Sequence, residues 1–98
     1  MLNSLSTGAG NTGLDWGALS VVAVGNYNTA VGAGTLVLNT GDQNTATGVA
    51  ALLLNHTATL NTAAGFSALF NNDSSGNGLA YGNSAFGDTA LLSNTDGN

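Results

Sequence analysis

The chain lacks most of the residues on which protein chemistry depends. It has no cysteine, no proline, no lysine, no arginine and no glutamate, and it carries one histidine, one methionine and one tryptophan in 98 residues. Without cysteine there is no disulfide framework and no thiolate metal site. Without cations nothing neutralises a phosphate backbone, which excludes nucleic acid as a partner, and nothing attracts an anionic membrane surface. The five acidic residues leave a formal charge of −5. No uninterrupted apolar run approaches the length of a membrane span, so no membrane insertion is expected. No basic segment precedes an apolar run at the start, so no signal peptide is expected there.

What the chain does have is a repeat. Asn28-Thr29-Ala30-Val31-Gly32 returns as Asn44-Thr45-Ala46-Thr47-Gly48 and as Asn61-Thr62-Ala63-Ala64-Gly65, at separations of 16 and 17 residues. Looser copies begin at Asn11 and Gly78, and another, Asn83-Ser84-Ala85-Phe86-Gly87, begins five residues after Gly78. This divides the chain into a partial coil 1–10, coils 11–27, 28–43, 44–60 and 61–77, and an irregular coil 78–98. The whole of 1–98 reads as one repeat domain that begins and ends mid-repeat, a piece of a longer fibre.

A period near 17 residues is too short for two-helix repeats. Each period holds short segments with Thr, Val and Ala, separated by Gly, Asn and Asp, which is strand length punctuated by turns. The expectation is all-β: a parallel β-solenoid or β-roll with ~17-residue coils stacked about 4.8 Å apart. Helix is the competing reading for Val49-Ala50-Ala51-Leu52-Leu53-Leu54, and the repeated glycines weigh against it.

Stacking places like residues above one another. Leu19, Leu36, Leu52, Leu69 and Leu91 form the core ladder, with Phe86 falling into the leucine column or the outer fourth column depending on phase. Asn11, Asn28, Asn44, Asn61 and Asn83 form an asparagine ladder in which each amide donates and accepts along the axis. Such a thin core invites lateral association, and the open strand edges invite end-to-end stacking.

Few residues offer chemistry. His56 stands alone in a turn, without an orienting acid or a nucleophile; three copies around an axis are one way it would bind metal. Asp15, Asp42, Asp73, Asp88 and Asp96 are scattered, and Asp73 with Asn71, Asn72 and Ser74 is the best approach to a calcium-type oxygen set. Gly8-Ala9-Gly10-Asn11-Thr12-Gly13 matches a dinucleotide fingerprint by spacing but has no βαβ context. Asn55-His56-Thr57 and Asn72-Asp73-Ser74 are sequons. No catalytic residues, metal ligands or cofactor are assigned, and no enzyme is expected. The candidate binding face is Trp16 and Phe66, which share one repeat column, with Thr29, Thr45 and Thr62 beside them. Gap-filling between neighbouring rolls is the alternative role for the aromatics.

The phrase Asn28-Thr29-Ala30-Val31-Gly32, with Leu36, Asn39-Thr40-Gly41 and then Asn44-Thr45-Ala46, resembles the Asn-Thr-Ala-x-Gly repeats of bacterial surface, phage-tail and giant-virus fibre proteins. These in turn resemble the head domains of trimeric autotransporter adhesins, whose own repeats are shorter. The resemblance implies a left-handed parallel β-roll, three chains around a threefold axis, and an extracellular place on a cell surface or virion fibre. It implies a structural or adhesive fibre segment with receptor or glycan binding. Two other readings stand beside it: a homopolymeric extracellular filament subunit, and an ice- or carbohydrate-binding solenoid. Asp15 in place of glycine, the turn at His56 without glycine, and Gly78-Leu79 in place of Asn-Thr depart from the pattern.

Overall fold

Thr, Ala and Val in Thr29-Ala30-Val31 suit an extended backbone with one side chain pointing in and two pointing out. A computed structural model, which describes residues 8–21 and 24–98, gives this segment that conformation in every coil. The strands are β1 (Thr12–Leu14), β2 (Thr29–Val31), β3 (Thr45–Thr47), β4 (Thr62–Ala64) and β5 (Ser84–Phe86). They form one parallel sheet in the order β1-β2-β3-β4-β5. The register is strictly repeat on repeat: Thr29 pairs Thr45, Ala30 pairs Ala46, Val31 pairs Thr47. The fold is an all-β parallel solenoid with coils of about 17 residues. Residues 1–7, assigned above to a partial coil, lie outside the described residues apart from its end at 8–10.

The middle strand residue faces inward. Ala30, Ala46 and Ala63 are buried, and so are Ala18, Ala51 and Ala68 from the opposite wall. Leu19, Leu36, Leu52 and Leu69 fill the space between, each with no exposed surface. Leu91 holds the same column but is 50 % exposed, because no coil stacks above it.

The Ala-Leu stretches are turns, not helix. Their backbone explains why. Ala50 and Leu52 have φ of 59° and 51°, and the same alternation recurs at Ser67 and Leu69 (53° and 52°) and at Thr89 and Leu91 (54° and 50°). Left-handed residues at every second position forbid a right-handed helix. They bend the chain back toward the next strand. The cost falls on non-glycine residues, about 1–2 kcal/mol each. Ala50→Gly is therefore expected to raise stability by about 0.5–1 kcal/mol, the relieved strain exceeding the extra unfolded-state entropy. Its column already holds Gly17 and Gly34, with φ of 72° and 67°. Urea unfolding checks this.

The fifth motif position demands glycine more strictly. Gly48 has φ 122°, and a Cβ there would lie 2.6 Å from the carbonyl oxygen of Gly65 in the next coil. Gly32 has the same φ and would meet Gly48 O at 2.7 Å. Asp15 takes this position in the first full coil only by moving φ to 96°. Gly48→Ala is expected to cost about 2–4 kcal/mol by the same measurement, combining backbone strain with an interior clash.

The looser copy at Gly78 forms no strand; Ser84–Phe86 pairs directly with Thr62–Ala64. The step from Asn61 to Asn83 is 22 residues, against 16 or 17 elsewhere. The excess sits between Asn72 and Ala80, which are 8 residues apart where Asn55 and Ala58 are 3 apart but make the same bond. The coil thus absorbs a surface loop without losing register. Phe86 settles in the outer column opposite Ala64, not among the leucines.

Candidate functional site

The interior of each coil is half apolar and half amide. Asn28, Asn44 and Asn61 are fully buried. The amides of this first column do not bond to one another, contrary to the amide-to-amide ladder expected from the sequence; each Oδ1 accepts from the backbone N–H of the next asparagine. Asn28 N–H donates to Asn11 Oδ1 (2.8 Å), Asn44 N–H to Asn28 Oδ1 (2.8 Å), Asn61 N–H to Asn44 Oδ1 (3.0 Å) and Asn83 N–H to Asn61 Oδ1 (2.8 Å). The Nδ2 groups turn across the coil, as when Asn28 Nδ2 donates to Gly41 O (2.9 Å).

A second asparagine column makes the side-chain ladder that the first does not. Asn55 Nδ2 donates to Asn39 Oδ1 (2.7 Å), Asn72 Nδ2 to Asn55 Oδ1 (2.7 Å), and Asn94 Nδ2 to Asn72 Oδ1 (2.9 Å). The two columns are tied by Asn44 Nδ2 to Asn39 Oδ1 and Asn61 Nδ2 to Asn55 Oδ1. Among the described residues no buried side-chain nitrogen or oxygen lacks a partner. The signal for this column was present: Asn39, Asn55, Asn72 and Asn94 repeat at the same intervals as the first column. Their neighbours Thr40-Gly41 and Asp73-Ser74 make them read as turn residues.

The candidate polar sites are absorbed into this scaffold. Asp73 is fully buried. Its Oδ2 accepts from Thr57 N (2.8 Å), Ala58 N (3.0 Å) and Thr57 Oγ1 (3.0 Å), and its Oδ1 accepts from Gly78 N (2.7 Å). It clasps the inserted loop to the coil below rather than presenting oxygens to an ion. His56 Nδ1 lies 3.0 Å from Asp73 O. Among the described residues no group of three or more His, Cys, Asp or Glu is placed to hold a metal. No helix among them is long and apolar enough to cross a membrane. The sequon asparagines Asn55 and Asn72 are both buried in the second ladder, closed to a glycosylating enzyme in the folded chain.

What reaches the surface is rows. Thr12, Thr29, Thr45, Thr62 and Ser84 stack in register along the sheet. Leu79 is not part of this row, since Ser84 sits directly beside Thr62. The next outward strand row is Leu14, Val31, Thr47, Ala64 and Phe86. Beyond the corner at Asp15 and its equivalents come Trp16, Ala33, Val49, Phe66 and Asp88. Their stacking is fixed by Gly34 N to Trp16 O (2.9 Å), Ser67 N to Val49 O (2.9 Å) and Thr89 N to Phe66 O (2.8 Å). Trp16 is 81 % exposed, Phe86 71 % and Leu14 63 %, with Phe66 and Val49 about half exposed. Trp16 and Phe66 are thus in one row but three coils apart, about 14 Å at the usual strand spacing. Leu14 and Phe86, both exposed, and Val31, half-buried, lie in the neighbouring row, which Thr47 interrupts. A further apolar row, Val37, Leu53 and Phe70, lies half-buried on the other side of the inward Ala-Leu pair.

Compared with family models, curated proteins and solved structures, the chain matches none. Its parallel solenoid is consistent with fibre- and adhesin-type repeat domains in general.

Proposed function

We propose that the chain is a structural segment of an extracellular fibre, a shaft or adhesin head carried on a cell surface or virion, in which three left-handed coils pack side by side. The observation that carries this reading is a pair of adjacent outward rows rich in large apolar side chains, with Leu14, Trp16, Val49, Phe66 and Phe86 exposed and Val31 half-buried among them, the kind of surface that marks an interaction site. A closed ring of three needs two different faces on each chain, one meeting the other. The row Val37, Leu53 and Phe70 supplies the second. The chain is read as non-catalytic, its polar interior being spent on ladders.

Absolute mass by light scattering after size exclusion tests this. A mass of three chains, constant over concentration, is expected. W16S together with F66S is expected to release monomers that keep the far-ultraviolet spectrum of the parent. A monomeric parent overturns the reading. A mass that climbs with concentration favours the homopolymeric filament, the second reading.

A further inference from the structure

The ladder asparagines are chemically quiet. Their amides are held in fixed bonds, as in Asn44, whose Oδ1 accepts from Asn61 N (3.0 Å) and whose Nδ2 donates to Ala58 O (3.0 Å). Each is followed by a residue with a side chain, threonine in most cases, which crowds the next backbone nitrogen. Asn77 differs in every respect. It is exposed, and it lies in the loop inserted between Asn72 and Ala80. It is also the one asparagine in the sequence followed by glycine. With no Cβ beside it, a glycine nitrogen is the least hindered backbone nucleophile for the side-chain carbonyl that precedes it.

The loop surrounds this dipeptide with the groups that such an attack needs. Asp73, fully buried, places its Oδ1 2.7 Å from Gly78 N. The carboxylate is anchored from behind, its Oδ2 accepting from Thr57 N (2.8 Å), Ala58 N (3.0 Å) and Thr57 Oγ1 (3.0 Å). It therefore sits within the reach a general base requires. On the other side, Leu79 N–H donates to Asn77 Oδ1 (2.9 Å). This Asx turn folds the amide carbon back toward the following peptide unit. The same N–H stabilises the negative charge that develops on Oδ1 when the carbonyl is attacked.

We propose that Asn77-Gly78 is a self-modification site, where the chain converts its own asparagine to aspartate and isoaspartate through a cyclic imide, with Asp73 as the base. Asp73 Oδ1 takes the Gly78 N–H proton as the nitrogen attacks Asn77 Cγ. The new N–Cγ bond closes the ring, the Cγ–Nδ2 bond breaks, and the proton held by Asp73 leaves with the amide nitrogen as ammonia. Water then opens the ring at either carbonyl and returns a proton to Gly78 N. Opening at Cγ gives aspartate; opening at the backbone carbonyl gives isoaspartate, whose main chain runs through Cβ. Either product adds a negative charge to the loop. The imide has no N–H at Gly78, so Asp73 loses one of its four donors while the ring persists. Isoaspartate then lengthens the clasped loop by one methylene. None of residues 73–78 belongs to either apolar face, so this chemistry is separate from the assembly of chains.

The test is mass spectrometry of the intact chain during incubation at neutral pH. Electron-transfer fragmentation locates the change and tells isoaspartate from aspartate. A synthetic peptide of residues 71–82 is incubated beside it. The folded chain is expected to pass through a loss of about 17 Da and settle at a gain of about 1 Da, at Asn77 alone. Its rate is expected to exceed the peptide's by about tenfold or more, since the peptide keeps the Asn-Gly pair but not the fixed base. Asn77→Ala is expected to abolish the gain. Asp73→Asn is expected to bring the rate down to that of the peptide. Where that variant does not fold, the comparison of chain with peptide tests the base unaided. A folded chain that reacts no faster than the peptide would overturn the proposal, and so would a gain spread over the ladder asparagines.

Discussion

Asn55→Ala is expected to destabilise the chain by about 3–5 kcal/mol, as much as any single core truncation. Asn55 is fully buried and engaged on all sides. Its Nδ2 donates to Asn39 Oδ1 and to Ala58 O, and its Oδ1 accepts from Asn72 Nδ2 and Asn61 Nδ2. Removing it strands the Asn61 amide, for which Asn55 Oδ1 is the acceptor, and breaks the second ladder in the middle. A buried donor left without a partner costs about 1–3 kcal/mol in addition to the bond itself. Asn77→Ala, at an exposed loop position, should change stability within about 0.5 kcal/mol. The contrast separates a role in the ladder from a general cost of losing amide groups. Urea midpoints at unchanged slope measure both.

Leu52→Ala is expected to cost about 2–5 kcal/mol. Leu52 has Leu36 below it and Leu69 above it, all without exposed surface. Truncation leaves a void between two coils whose spacing is fixed by backbone bonds, Leu36 N to Ala51 O (3.1 Å) and Leu52 N to Ala68 O (3.0 Å). Little collapse can fill it, which argues for the upper part of the range. Leu91→Ala removes the same side chain in the same conformation from a half-exposed site. It should cost under about 1 kcal/mol. Equal effects at the two positions would mean that the leucine column is not what fills the interior.

Much of this architecture was legible in the sequence because the repeat is nearly regular. Once Asn28, Asn44 and Asn61 are aligned, the strand, the inward alanine and the core leucine follow from the alternation of side chains along an extended chain. The phase after Asn61 was harder to read. Gly78-Leu79-Ala80 imitates a motif, and only the pairing of Ala64 with Phe86 places the next coil at Asn83. The second asparagine column was hidden for a related reason. Asn39, Asn55 and Asn72 stand where a turn is needed, and Asn is a turn residue, so local chemistry explained them before the period did. Asp73 was unreadable in principle, because its partners Thr57, Ala58 and Gly78 come from a neighbouring coil and the far side of an insertion.

The candidate face was half legible. Trp16 and Phe66 share a column by count alone. Which columns point outward depends on the left-handed residues at Ala50, Leu52 and their equivalents, and no propensity scale places a leucine there. Leu14, Val31 and Phe86 likewise share the fourth motif column by count, and strand pairing settles Phe86 there rather than among the leucines.

The central claim is that buried asparagine ladders hold the coils in register. The most direct test is the exchange rate of the side-chain amide protons, followed by NMR in deuterated water. The Nδ2 protons of Asn44, Asn55 and Asn72 should be strongly protected, exchanging only through openings of the stack, while those of Asn77 should exchange freely. Exchange at Asn55 as fast as at Asn77 would contradict the account.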